Sequence, residues 1–578
     1  MLKLVARYLR LYKKEAIIGP IAKLTEAVFE LIVPIVMSKI IDVGIANGDT
    51  HYVLKMGGVL LLLGVLGLCF ALICQYFASK ASQGVGTALR NDLFRHINTL
   101  SAAEIDKIGT STLITRINSD VNQVQLSVAM LIRLAVRAPF LIIGSTVAAI
   151  MIDPKLSVIF LAATPLLAAV LFFIMKYSVP FYKVIQQKLD KVTLITRENL
   201  SGARVIRAFS KQKHEEDRFE NAADELSRIS MSVGKISALL SPLTFVIMNT
   251  AIIFIIWFGG KRVYVGDFTQ GEVIAFVNYI TQIMLAMVVL ANIIVIFTKA
   301  SASAARIEDV FDTKPSVVQG TDSEITLDRT KAAVEFKNVT FSYNKGSEKA
   351  VLDSIDFTVE PGQRVGIIGG TGSGKSTVVN LIPRFYDADS GEISVFGNNV
   401  RAYSFAQLRS VVSVVPQRSV LFSGTIRDNM KLGNKNISDD DIRYALSIAQ
   451  AAEFVEKLEN GLDYIIERGG TNLSGGQKQR LAIARAVAAK PDILILDDSS
   501  SALDFSTEAK LRHGLNTLGD TAVITTTQRV SCVMHCDKII VLDDGKVVGT
   551  GTHDELMNSC GVYKEICASQ LKETEAKK

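Results

Sequence analysis

The chain has 578 residues, 49% of them hydrophobic, and a mean hydropathy of +0.31: too long for one ordinary domain and too apolar for a wholly soluble protein. Its net charge of +6 is small for this length, which argues against nucleic acid as a partner and for basic loops beside a membrane. Cys69, Cys74, Cys532, Cys536, Cys560 and Cys567 are scattered, so no disulfide framework is expected; Cys532, His535 and Cys536 lack a fourth metal ligand at usable spacing.

Residues 2–14 mix basic and apolar side chains without a signal-peptide core, and are expected to form an interfacial amphipathic helix. Four stretches then carry no charge and reach the length of about 20 residues that a bilayer requires: 56–79, 156–175, 236–260 and 273–298. Two more are charged, 17–43 with Lys23, Glu26, Glu30 and Lys39, and 131–152 with Arg133 and Arg137. Six spans are expected. The connections 80–128 and 176–235 are long and rich in Lys and Arg, which places them and both termini in the cytoplasm. They lack Gly/Pro punctuation and read as helices continuing past the membrane, interrupted by short contact elements near 101–109 and 200–209. Arg133 and Arg137, one helical turn apart, either anchor an anionic substrate, snorkel at the inner leaflet, or pair with Glu26 or Glu30. Trp257 reads as packing or as an interface anchor. Polarity rises after Lys299, giving expected boundaries of 1–305 for the membrane domain, 306–332 for a linker and 333–578 for a second domain.

In that second domain, residues 369–377 read Gly-Gly-Thr-Gly-Ser-Gly-Lys-Ser-Thr, between a strand-like 364–369 and a helix-like 378–382. This is the phosphate-loop pattern in its proper context. Gly369, Gly372 and Gly374 leave the amides of the loop, with those of Thr371, Ser373 and Thr377, free to wrap phosphates; Lys375 is expected on the β- and γ-phosphates and Ser376 on Mg²⁺. Strand 333–343 ends on Tyr343, an aromatic that either stacks an adenine or packs the strand end. Strand 493–497 ends on Asp497, a carboxylate suited to Mg²⁺ beside a phosphate loop. Residues 473–477, Leu-Ser-Gly-Gly-Gln, form an anion-binding turn that opens a helix.

These motifs resemble the ATP-binding cassette (ABC) family, specifically exporter half-transporters, over essentially the whole chain. The resemblance implies an all-α transmembrane domain of six long helices extending into the cytoplasm. Fused to it is an α/β P-loop nucleotide-binding domain with an antiparallel β subdomain and an α-helical signature subdomain. It implies ATP and Mg²⁺ as ligands, Tyr343 as the adenine-stacking ring, Gln417 as the Mg²⁺ and coupling glutamine, and a coupling helix near Phe209. It also implies a dimer, because each ATP lies between one chain's phosphate loop and the other's Ser474, Gly475, Gly476 and Gln477, with the loop 501–504, ending on Asp504, crossing the interface.

Two residues depart from the family pattern. Asp498 stands where the family has a glutamate as general base; a carboxylate drawn back by about 1 Å can cost about 10²-fold in rate. Gln528 stands where the family has a histidine, and an amide neither carries charge nor shuttles a proton. The signature turn is intact. The expectation is therefore the degenerate-site subunit of a heterodimeric bacterial multidrug exporter in the cell membrane, with its nucleotide domain cytoplasmic. Its partners are a second half-transporter, membrane lipids and an amphipathic small molecule. A homodimer with two impaired sites, a lipid or peptide exporter, and a nucleotide-gated channel or sensor are the alternatives.

Overall fold

The computed structural model describes residues 2–320, 325–344, 349–432, 434, 436–499 and 503–575. The chain divides into two compact units, Met1–Asn98 with Thr110–Asp312, and Thr99–Gly109 with Thr313–Lys578.

The first unit is helical. Among the described residues, five stretches are long and apolar enough to cross a membrane: Thr50–Ile97, Thr110–Ile152, Val158–Ser178, Gln212–Val265 and Gln270–Asp312. The sixth expected span, 17–43, is helical as Lys13–Lys39 followed by a π-helical turn, Ile40–Ile45, but its charges keep it from meeting the same apolar standard. Three of those charges have partners within the unit: Lys23 Nζ lies 2.7 Å from Glu26, and Arg137 Nη2 lies 2.6 Å from Glu30 Oε2. Helix Thr50–Ile97 has 48 residues, about 72 Å at 1.5 Å per residue, more than twice the hydrocarbon thickness of a bilayer. The expected linker, 306–332, begins later than its polarity suggests. Helix Gln270–Asp312 continues through its first residues because Ala300, Ser303, Ala304, Ile307 and Val310 recur at helical spacing and are all buried. Residues 321–324 of that segment lie outside the described residues.

Among the described residues the second unit contains, beside the two-stranded pair Gly424–Thr425 and Ile465–Ile466, two larger sheets. The smaller of these two is antiparallel, in the order Leu352–Val359, Val334–Phe341, Ser390–Val395, Asn398–Asn399. The larger runs Lys546–Gly551, Lys538–Asp543, Arg364–Gly369, Ala522–Thr527, Ile493–Asp497, Val412–Val415. It is parallel except at the first edge strand. Ile493–Asp497 is buried at every position, which is why its sequence is a continuous apolar run rather than an alternating one. Helices Asp439–Ile448 and Gly475–Ala488 pack in a core of their own with Leu446, Leu481, Ile483 and Leu494. The register pairs Thr526 with Asp497 and Thr527 with Ile368, so Gly369, Asp497 and the residues after Thr527 emerge together at the carboxyl edge of the parallel strands. Ligand sites of open α/β sheets form at that edge.

The short helix Ala102–Ile108 also belongs to this second unit. Ser101 and Glu104 close a capping box at its start, Val317 N–H donates to Ser101 Oγ at 3.0 Å, and Tyr386 Oη donates to Asp106 at 2.8 Å.

Candidate nucleotide site

The phosphate loop joins strand Arg364–Gly369 to helix Lys375–Leu381. Gly372 and Gly374 sit at φ +83° and +98°, where a side chain would be strained, and a Cβ at Gly369 would fall 2.1 Å from Leu542 O. At Gly370 and Gly372 an added Cβ meets nothing within 4 Å, so the loop borders open space. Lys375 is buried, and its Nζ donates to Gly369 O at 2.9 Å and Gly370 O at 2.6 Å. Burial holds its pKa below the ordinary lysine range, opposed by the charges of Asp498 and Asp497.

Asp497 is buried and accepts from Ser376 Oγ at 2.9 Å and Thr526 Oγ1 at 2.6 Å. Asp498, next in the chain, takes φ +45° and donates its N–H to Thr526 O at 3.0 Å and Thr526 Oγ1 at 3.1 Å. Thr526 thus aligns two neighbouring carboxylates that strand polarity sends in different directions. Gln417 Nε2 donates to Asp498 Oδ2 at 3.2 Å. Burial pushes the Asp498 carboxyl above the usual aspartate range, and Asp497 adds to this; the Gln417 hydrogen bond, Lys375 and Arg529 oppose it. Ser376, Asp497 and the Gln417 amide are hard oxygen donors, and with Lys375 and the open loop they fit a nucleoside triphosphate and Mg²⁺.

Two more pairs converge here. Thr371 Oγ1 donates to Gln528 Oε1 at 3.4 Å, which puts the exposed Gln528 beside the phosphate loop. Tyr343 Oη lies 3.1 Å from Thr377 Oγ1, with its ring edge-on to Phe341 and Tyr386 at 5.0 and 5.2 Å. Half of Tyr343 remains exposed, so it is packed on one side and available on the other.

The signature turn is built differently. Ser474 Oγ accepts from Gln477 N–H at 3.3 Å, and Ser474 N–H donates to Gln477 Oε1 at 2.8 Å, a capping box at the start of helix Gly475–Ala488. A Cβ at Gly475 meets nothing within 4 Å. Among the described residues, no hydrogen bond joins Ser474, Gly475, Gly476 or Gln477 to the phosphate loop. Asp504 caps helix Phe505–Leu515, and hydrogen bonds from Ser506 and Thr507 hold its carboxyl far below the usual range. Ser501 and Ala502 lie outside the described residues.

In the first unit, Arg137 pairs with Glu30, and Arg133 donates to Ser79 Oγ at 3.1 Å. Trp257 is exposed, with Lys261 Nζ 5.0 Å from its ring centroid, as an interface anchor would be. Phe209, also exposed, ends the short helix Ala203–Ala208. A groove of about 580 Å³ runs along Leu171, Phe172, Met175, Lys176, Met287 and Leu290. Thr526 and Tyr386 were not singled out by any sequence motif; their partners are set by strand register and by tertiary packing.

Residues 16–287 match the family described as the ABC transporter transmembrane region, and 352–501 match the ABC transporter family. An uncharacterized ABC transporter ATP-binding protein of Mycobacterium tuberculosis (strain CDC 1551 / Oshkosh) is 37% identical over 99% of this chain and 98% of its own length. The chain belongs to the ABC transporter family. A second uncharacterized ABC transporter ATP-binding protein, YfiB of Bacillus subtilis, is 37% identical over 98% of each chain. The ATP-dependent lipid A-core flippase of Hahella chejuensis is 31% identical over 90% of this chain and 88% of that one. The fold of this ABC transporter is that of a bacterial Atm1-family ABC exporter solved with ATP bound: TM-score 0.81 at 23% identity, covering 97% of this chain and 99% of that one.

Proposed function

We propose that this ABC transporter is one half of a dimeric, ATP-driven exporter of amphipathic compounds, multidrug in character, and that its own ATP site is the slow one of a heterodimeric pair. One observation carries the reading: an aspartate and a glutamine, Asp498 and Gln528, stand beside the phosphate loop where the family has glutamate and histidine. The membrane domain has six spans, Lys13–Lys39 being the sixth, with Lys23, Glu26 and Glu30 in ion pairs. It lies in a bacterial cell membrane with the nucleotide domain in the cytoplasm.

Tyr343 stacks the adenine with its exposed face. Gly369, Thr371, Gly372, Ser373, Gly374 and Thr377 cradle the phosphates, and Lys375 exchanges its loop carbonyls for phosphate oxygens. Ser376, Asp497 and Gln417 hold Mg²⁺, which neutralises charge on the phosphates when bound. Asp498 orients the attacking water and takes its proton, but from a shorter side chain; Gln528 reaches the terminal phosphate with a neutral amide. Nucleotide therefore stays, and this site acts as a clamp. Ser474, Gly475, Gly476 and Gln477, with Asp504, complete the partner's site, where turnover reopens the dimer. Binding closes the nucleotide domains only through higher affinity for the closed state.

The apolar groove with Lys176 at its rim suits an amphiphile. The flippase among the relatives favours a lipid as the second reading of the cargo. Native mass spectrometry of the chain extracted from its own membranes tests the pairing: one copy with a different subunit of similar mass is expected, and two identical copies would overturn the heterodimer. Uptake into inverted vesicles of a fluorescent amphipathic drug against a fluorescent lipid separates the two cargoes.

A further inference from the structure

We propose that Gln570 is a positioning residue for the nucleotide site: from helix Gly561–Glu575 its amide bridges Gln528 and Val530, fixing the backbone on which Gln528 stands. This deepens the reading above and rests on Gln528 facing the terminal phosphate.

Gln528 follows strand Ala522–Thr527 on an exposed turn, and its contact with Thr371, at 3.4 Å, is near the limit of a hydrogen bond. Such a contact does not set the pose of a flexible side chain; the backbone beneath does. That backbone is gripped from behind. Gln570 Nε2 donates to Gln528 O at 2.6 Å, and Val530 N–H donates to Gln570 Oε1 at 2.9 Å. One side-chain amide therefore brackets Arg529, whose N–H donates to Thr527 Oγ1 at 3.0 Å and whose guanidinium lies 5.8 Å from the Phe505 ring centroid.

Gln570 arrives there because its helix is firmly seated. Tyr563 and Cys567 are buried in one cluster with Val530, Val533 and Ile539, and positions 563, 567 and 570 fall on one helical stripe. Both ends of the amide are used, which makes the chemistry of the residue specific. Glutamate in its place accepts from Val530 but has no donor for the Gln528 carbonyl; methionine keeps the length and supplies neither bond. ATP has a γ-phosphate for Gln528 to meet and ADP does not. Gln570 accordingly sets the preference for ATP over ADP at this chain's site, not nucleotide affinity as a whole.

The test uses the full-length assembled transporter with Mg²⁺, photolabelled with azido-ATP, with this chain's labelling competed by ATP and by ADP. Gln570→Met is expected to lower the ATP-over-ADP preference about fivefold, the worth of one neutral hydrogen bond, with ADP competition nearly unchanged. Gln528→Ala should lose a similar factor, and the double variant no more than either alone, as for two residues acting through one contact. Without nucleotide, hydrogen exchange over 526–532 should rise in Gln570→Met, while Gln570→Glu keeps Val530 protected yet still loses the ATP preference. Equal weakening of ATP and ADP in Gln570→Met would mean plain structural support and overturn the proposal. A normal ATP preference in Gln570→Met, with Gln528→Ala impaired, overturns it while leaving the reading of Gln528 standing. An inert Gln528→Ala removes that reading, and the proposal with it.

Discussion

The phosphate loop and the signature turn are both Gly-rich helix starts in one nucleotide domain, yet they satisfy their polar groups in opposite ways. The phosphate loop turns inward: Lys375 is buried and bound to the loop's own carbonyls, and Asp497 is held by Ser376 and Thr526. The signature turn closes on itself through the Ser474–Gln477 box and leaves Gly475 bordering open space. The Lys375 ammonium is already bound to loop carbonyls, whereas the hydrogen bonds of the signature turn are made within the turn itself. A chain can therefore lose chemistry on the loop side and keep full competence on the other, because the two sides share no hydrogen bond among the described residues.

The sharpest way to break this comparison is to remove one side at a time. Ser474→Arg should abolish turnover at the partner's site, at least about 10²-fold in ATPase rate, while azido-ATP labelling of this chain persists. Lys375→Ala should do the converse, weakening labelling of this chain by about 10- to 100-fold through loss of a charge-assisted contact. Repair of the loop side comes next: Asp498→Glu with Gln528→His should raise hydrolysis at this chain's site by up to about 10²-fold, measured in a complex whose partner's general base is disabled. Thr526→Val leaves Asp497 and the Asp498 N–H each short of a partner; a loss of about 1–3 kcal/mol, read from denaturant unfolding, is expected. The smallest effect is in pH dependence. Burial holds the Asp498 carboxyl above the usual aspartate range, and as the proposed base it must be ionised, so residual hydrolysis should fall as pH drops through that raised pKa. Gln417→Ala removes a hydrogen bond to the ionised form and should move this acid limb to higher pH, visible in the pH–rate profile.

How much of this was legible in the sequence follows how local each feature is. The phosphate loop, the buried strand ending on Asp497 and the signature turn are contiguous, so spacing and residue type sufficed. Asp498 and Gln528 were legible as departures, since each sits at a fixed offset from a recognisable strand. The span over 17–43 was harder: its charges lower its hydropathy, and the partner of Glu30 is Arg137, 107 positions away. The expected boundary at 305 follows composition, which turns polar there, while burial at Ala304, Ile307 and Val310 continues the helix to Asp312. Thr526 and Gln570 carried no signal, since an ordinary strand threonine and an ordinary helix glutamine acquire roles only through register and through a contact 42 residues away.

The helix Ala102–Ile108 has a consequence for anyone who would treat the two halves as interchangeable parts. It folds with the nucleotide unit, through Tyr386 and Val317, although it is encoded within the membrane half. A gene cut after Asp312 would leave the C-terminal fragment without the surface that receives Tyr386, and a chimera joined there would set a foreign residue against it. Recombination among such transporters thus has two seams to respect, not one, and the hydrogen bond of Tyr386 to Asp106 spans both.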